Sequence, residues 1–279
     1  MKRIKLNNGV SMPQLGFGTF QINDLIECEA CVLSALKTGY RMIDTAANYG
    51  NESAVGKAIK RSSIPRNELF ISSKVWLTKD GYQETLAAFE QTLKNLQTDY
   101  LDLYLIHMPY GDYQGSWRAM SELYQAGKIR AIGVCNFLPD RLVDLILTSG
   151  VIPAVNQIEL HPFCQQQDLR QLMAKYQITP MAWAPFAEGQ NHLFTNPILV
   201  KIGAKYGKSA AQVVLKWLEQ SEISAIPKSV HLERMQENFA LADFNLTEED
   251  LAAITALDSK QPVILQVDSA KEAYRLHEL

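Results

Sequence analysis

The 279-residue chain is 47% apolar and 20% charged, a balance that supports a full hydrophobic core and excludes a disordered polymer. Its net charge of −3 and pI of about 6.0 leave no electrostatic footprint for nucleic acid or an anionic membrane as partner. No run approaches a membrane span, and the basic start Met1-Lys2-Arg3-Ile4-Lys5 lacks the apolar stretch of a signal peptide, so the expected compartment is the cytoplasm.

The first element is a hairpin. Asn8-Gly9 sits between the short apolar stretches of 4–12, a strong turn signal. Strand-like apolar runs then begin near Gly16, Arg41, Leu69, Asp102, Arg130, Ala154, Thr179 and Ser224. Most starts lie about 25 to 33 residues apart, the size of one strand–helix repeat. Helical patterns occupy Asp24–Lys37, Asn51–Arg61, Tyr82–Leu96, Trp117–Gln125, Arg141–Leu147, Gln167–Tyr176 and Ala210–Glu219. Because the strands are continuously apolar, both of their faces are covered. Eight such units predict an α/β fold of the (β/α)₈ TIM-barrel type, one domain over 1–279, with the hairpin plugging its amino-terminal end. The long interval from Thr179 to Ser224 predicts an extra loop. In the short tail after Leu257, Val263-Ile264-Leu265 is expected to pack down and 270–279 to be helical.

Several motifs resolve into structural roles. Cys28-x-x-Cys31 falls at helical spacing with Leu25, Val32 and Ala35, which reads as small core hydrophobes, and no histidine or cysteine lies close enough to complete a zinc site. No metal is expected. Gly16-Phe17-Gly18 lacks the third glycine of a dinucleotide fingerprint and reads as a strand that admits close approach. The segment 203–209 is one residue short of a P-loop, and Ser209 reads instead as the cap of the helix starting at Ala210.

Four polar residues end or follow consecutive apolar runs: Asp44 and Tyr49, then Lys74, then His107. Each alone has a plain structural explanation. Together they lie where strands of a parallel α/β enzyme reach the solvent. A tyrosine is a poor acid at pH 7 unless a cation favours its phenolate, and a shift of two units takes about 2.7 kcal/mol. A partly buried lysine supplies that cation, a carboxylate holds the lysine charged, and a histidine on the next strand hydrogen-bonds the substrate oxygen. The set suits protonation of a carbonyl oxygen.

Three separated stretches resemble the aldo-keto reductase family, and the resemblance runs from about Leu6 to Leu257. The first is Gly39-Tyr40-Arg41-Met42-Ile43-Asp44-Thr45-Ala46 with Glu52 and Gly56, in which Met42 departs at a variable place. The second is Arg130-Ala131-Ile132-Gly133-Val134-Cys135-Asn136-Phe137. The third is Ile226-Pro227-Lys228-Ser229 with Arg234, Glu237 and Asn238. The resemblance, nearest to bacterial diketogluconate and glyoxal reductases, implies Asp44, Tyr49, Lys74 and His107 as the catalytic set and NADPH as the cofactor. It implies that Cys135, where serine is commoner, Asn136 and Gln157 hold the nicotinamide carboxamide. Trp183 would stack on the ring, beside Ala184 in place of the usual serine. Lys228, Ser229 and Arg234 would bind the 2′-phosphate, with Glu237 and Asn238 near the adenine and Gly18, Thr19 and Asp44 completing the cofactor set. A lysine, a hydroxyl and an arginine at the end of the eighth strand also form a phosphate cradle on chemical grounds.

The expected reaction is hydride transfer from NADPH to an aldehyde or ketone, a small reactive carbonyl or keto sugar, by a monomer with Tyr49 as general acid. Phe20, Tyr49, Trp76, His107 and Met108 are expected to line the substrate pocket. Tryptophan is frequent in the family where Phe20 and Met108 stand, so a wider pocket is implied. One rival is an NADPH-binding regulatory subunit with little turnover, against which the intact tetrad counts. The other is a metal-dependent barrel hydrolase or lyase, which would need more ligands at strand ends than His107 and His161.

Overall fold

A computed structural model describes residues 2–278. The expected hairpin is present: β1 (Arg3–Lys5) pairs antiparallel with β2 (Ser11–Pro13), the turn lying at Asn8-Gly9. Asn7 Nδ2 and Asn8 Nδ2 donate to Pro153 O (3.0 Å) and Arg130 O (2.9 Å), which ties the hairpin to the starts of two later strands. Leu6 and Met12 are buried among the inward residues of those strands, so the hairpin closes the barrel floor.

Eight strands follow in sequence order: β3 (Phe17–Gly18), β4 (Met42–Asp44), β5 (Phe70–Val75), β6 (Leu103–Ile106), β7 (Ile132–Cys135), β8 (Val155–Glu159), β9 (Thr179–Trp183) and β10 (Ser224–Ala225). Each pairs parallel with its sequential neighbour. The ring shuts where Leu15 bridges Ala225: Gly16 N donates to Ala225 O (2.8 Å), and Ala225 N donates to Gln14 O (2.9 Å). All eight expected strands are therefore present, each starting within two residues of its predicted position.

The helices also follow the pattern, as α1 (Leu25–Thr38), α2 (Glu52–Arg61), α3 (Tyr82–Leu96), α4 (Tyr113–Gln125), α5 (Pro139–Ser149), α6 (Gln167–Lys175), α7 (Pro197–Tyr206), α8 (Ala210–Gln220), α9 (Leu232–Phe239), α10 (Glu248–Thr255) and α11 (Ala270–His277). Helix α4 begins a turn earlier than its apolar pattern, because the Asp112 side chain caps it by accepting from Gly115 N at 2.8 Å. Ser209 caps α8 in a reciprocal capping box with Gln212, as expected. The interval before β10 holds more than a loop: an irregular 3₁₀ stretch (Ala187–Thr195) leads into α7. Helices α7, α9 and α10 were not anticipated, since their lengths of 8 to 10 residues give little periodicity to read. The tail helix covers most of the expected span, and Leu279 lies outside the described residues.

Alternation along the strands divides the core in two. Ile43, Ile71, Tyr104, Ile106, Ile132, Val134 and Ile158 face outward into the layer beneath the helices. Met42, Phe70, Leu103, Leu105, Val155 and Met181 face inward and fill the barrel with the hairpin. Cys28 and Cys31 are buried free thiols in the outer layer, consistent with their reading as core residues.

Candidate active site

The period of two that points Met42, Phe70 and Leu105 into the barrel also points Asp44, Ser72, Lys74 and His107 inward, one or two steps nearer the carboxyl end. The lower layers are apolar and the uppermost is polar. Tyr49 arrives from the short 3₁₀ turn Ala47–Tyr49 after β4. The structure thus brings the four predicted residues together.

Lys74 is the hub, with no solvent exposure. Its Nζ donates to Asp44 Oδ2 (2.5 Å), Thr45 O (2.9 Å) and Tyr49 OH (3.3 Å). Ser72 Oγ and Gln157 Nε2 both donate to Asp44 Oδ1, at 2.7 and 3.1 Å, so the carboxylate is held from both sides. The His107 ring stands edge-on to Tyr49 (centroids 5.6 Å apart) and to Trp76 (4.9 Å).

The electrostatics follow from this packing. Burial is the largest single influence and disfavours charge on Lys74, but the Asp44 carboxylate, Tyr49, Cys135 and the Asp44 hydrogen bond together outweigh it, and the ammonium is held above the ordinary lysine range. Burial pushes Tyr49 up to about 12, with Lys74 as the main influence pulling it down. Lys74 therefore offsets part of the cost of burial and does not depress the phenol below its usual value, as the charge pattern alone suggested. Burial, followed by the Lys74 charge, lowers His107 well below the usual imidazole range and keeps it neutral. Burial likewise raises the Cys135 thiol, which is not a nucleophile here.

A cavity of about 370 Å³ opens above these groups. All five expected pocket residues line it: Phe20, Tyr49, Trp76, His107 and Met108. Of the expected cofactor residues, Gly18, Asp44, Asn136, Gln157, Trp183 and Lys228 line it too. Trp183 Nε1 donates to Asn136 Oδ1 at 2.8 Å, which fixes the indole as a wall. Gly18 must be glycine, because a Cβ there would stand 2.8 Å from Ile226 O across the barrel seam. Thr19 is fully buried, its hydroxyl donating to Asp44 O at 3.2 Å. Cys135 lies beneath the lining, its thiol 3.8 Å from Gln157 Oε1.

The remaining expected residues form a second locus at the end of β10. Lys228 and Arg234 are exposed and Ser229 is buried, flanking the start of α9, which has no side-chain cap. Lys228 lines the cavity, and Arg234 follows within the first turn of α9. Glu237 accepts from the Ser209 hydroxyl, which ties α9 to the start of α8, and Asn238 is buried. These residues suit a nicotinamide at Asn136, Gln157 and Trp183 and a phosphate at Lys228 and Arg234. Among the described residues, no group of three or more His, Cys, Asp or Glu side chains could hold a metal ion.

Part of the lining was not anticipated. Glu188 comes from the loop after β9, where Ala184, Ala187, Glu188, Asn191 and His192 all adopt positive φ. Ile264, Leu265, Arg275 and Leu276 come from the tail. No sequence period marks such residues, because neither segment is a regular amphipathic element facing the core. Ser72 was legible in principle: two residues before Lys74, it shares the inward face.

The glyoxal reductase of Bacillus subtilis is 48% identical over 261 residues, covering 93% of this chain and 94% of that protein. The methylglyoxal reductase DkgA of Yersinia pestis is 46% identical over 258 residues, covering 91% and 92%. The crystal structure of a Bombyx mori aldo-keto reductase in complex with NADP superposes with a TM-score of 0.89 at 33% identity, covering 96% of each chain. The aldo/keto reductase family model matches residues 14–259, nearly the whole barrel, and the chain belongs to that family.

Proposed function

We propose that this protein reduces the carbonyl group of small aldehydes and ketones, reactive dicarbonyls or keto sugars, with NADPH. The observation that carries the reading is Lys74 Nζ held between Asp44 Oδ2 (2.5 Å) and the Tyr49 hydroxyl (3.3 Å) below the cavity. When bound, NADPH supplies the hydride that reduces the carbonyl carbon. Asn136, Gln157 and Trp183 would hold its nicotinamide, and Lys228, Ser229 and Arg234 its 2′-phosphate.

Tyr49 gives its proton to the carbonyl oxygen. With a pKa of about 12 the phenol is fully protonated at neutral pH, yet it is a stronger acid than the product alcohol, so its proton passes downhill to the forming alkoxide and leaves the phenolate beside Lys74. Lys74 lowers the cost of the phenolate as the proton leaves, and Asp44 keeps Lys74 charged and in place. Neutral His107 donates one ring N–H to the same oxygen and so fixes the carbonyl for attack. The apolar walls formed by Phe20, Trp76, Met108 and Leu265 exclude water and favour small substrates. The reading extends to one domain throughout the chain, acting as a monomer in the cytoplasm.

The test is Tyr49→Phe. Turnover with methylglyoxal should fall by about 10²-fold or more, while NADPH binding by fluorescence titration is unchanged. Wild-type turnover in this variant would sink the assignment.

A further inference from the structure

Glu159 ends β8, two residues beyond Gln157, with only 2% of its surface exposed. The mechanism above makes no use of this carboxylate. A buried charge is costly unless donors surround it, and here four do. Val263 N and Ile264 N donate to Oε1 at 2.6 and 3.0 Å, and Leu265 N donates to Oε2 at 2.9 Å. His161 Nε2 lies 3.0 Å from Oε1. Phe163 N donates to His161 Nδ1 at 3.3 Å, so Nδ1 is the acceptor and the ring proton sits on Nε2, facing the carboxylate. Three consecutive backbone amides of the tail thus converge on one side chain of the barrel rim.

What those amides hold in place is the pocket wall. Leu265 is buried against Trp76, Leu77, Met108 and Leu276, and Leu265 and Ile264 line the cavity above Tyr49. The tail is pinned again further on, where the Tyr110 hydroxyl donates to Val267 O at 2.5 Å, before α11 brings Leu276 into the same wall. Its root is fixed to the β8–α6 loop, where Ser259 Oγ donates to Phe163 O at 2.6 Å. Between root and wall, the Glu159 contacts are the polar ones that set the height of residues 263–265 over the cavity.

We propose that Glu159 is a positioning residue that latches the carboxyl-terminal strap over the substrate pocket, so that it governs carbonyl-substrate affinity without touching substrate or cofactor. The proposal rests on the cavity above Tyr49 being the carbonyl pocket. Glutamine at this position replaces one acceptor oxygen by an NH₂ group that confronts backbone N–H groups, and at least one strap contact is lost. The strap then loosens while the tetrad and the cofactor residues keep their places.

The experiment compares the wild type, Glu159→Gln, Glu159→Asp and a chain lacking residues 262–279, each folded state being checked by circular dichroism. In Glu159→Gln, amide exchange at Val263, Ile264 and Leu265 should accelerate by about tenfold or more, and KM for methylglyoxal should rise by a similar factor. In the same variant kcat and the NADPH Kd should stay within about twofold of wild type. Glu159→Asp keeps the charge but falls short of the amides, and should lie between the two. In the truncated chain KM is already raised, and adding Glu159→Gln should change it no further. Unchanged exchange, faster exchange with an unchanged KM, or a second rise in KM within the truncated chain would each overturn the latch. If Glu159→Gln does not fold, Glu159→Asp in the full chain decides: faster strap exchange with a raised KM at constant kcat upholds the proposal, and unchanged exchange or an unchanged KM refutes it. A wild type inert toward methylglyoxal would count against the proposed reaction, and the exchange measurement, which needs no substrate, would still decide the latch.

Discussion

Replacing Lys74 by methionine separates the two tasks assigned to it. The side chain is fully buried and its Nζ contacts Asp44, Thr45 O and Tyr49 OH, so methionine fills the volume and removes only the charge. The orphaned Asp44 keeps the Ser72 and Gln157 hydrogen bonds but has no counter-ion. Breaking a buried pair on one side costs about 3–5 kcal/mol, which for a chain of this size lowers Tm by roughly 6–20 °C. The phenol loses the main influence drawing its pKa down, so reduction should slow by about 10²–10⁴, or roughly 2.7–5.5 kcal/mol in the barrier. The double variant Asp44→Asn with Lys74→Met removes both charges and should recover most of the stability but none of the activity. Thermal unfolding with single-turnover oxidation of NADPH measures both quantities. The reasoning fails if Lys74→Met turns over within tenfold of wild type. It fails equally if the double variant is less stable than the single one.

Other outcomes follow from the same geometry. Lys228→Ala with Arg234→Ala should weaken NADPH by about 10–100-fold per charged contact and NADH hardly at all, by titration of both cofactors; equal losses would remove the 2′-phosphate from this locus. The pKa of His107 is lowered on folding, so its contribution to stability is complete above about pH 6.5 and is lost as pH falls below that value, with a slope of up to about 1.4 kcal/mol per unit. Urea unfolding of wild type and His107→Gln from pH 7.5 to 4.5 should show this gap closing; a gap that widens on acidification contradicts it. A Cβ at Gly56 in α2 would stand 2.4 Å from Asn95 O and 2.8 Å from Leu96 Cα, both backbone atoms of the α3 end. Gly56→Ala should therefore cost about 1–3 kcal/mol or more, and an unchanged Tm would show that the two helices can separate freely.

The barrel was legible because its signal is local and repeated. Eight apolar runs at regular spacing fix the strand order once parallel pairing and right-handed crossovers are the only economical connection. Alternation along β4, β5 and β6 then sends Asp44, Lys74 and His107 inward at the carboxyl end, whatever the details of packing. Capping at Ser209 and the hairpin turn at Asn8-Gly9 were equally local.

Distances and environments belonged to the fold alone. Whether Lys74 lowers or merely restrains the Tyr49 pKa depends on how much water is excluded around the phenol, and desolvation is a sum over residues far apart in the chain. The burial of Thr19, the positive-φ loop after β9 and the seat of the tail on Glu159 depend likewise on contacts separated by tens to more than a hundred residues. The sequence by itself determined which residues reach the barrel mouth, because strand period and order are properties of neighbouring residues. Tertiary structure decided what each meets there, because burial, charge pairing and pocket closure come only from segments that the chain brings together on folding.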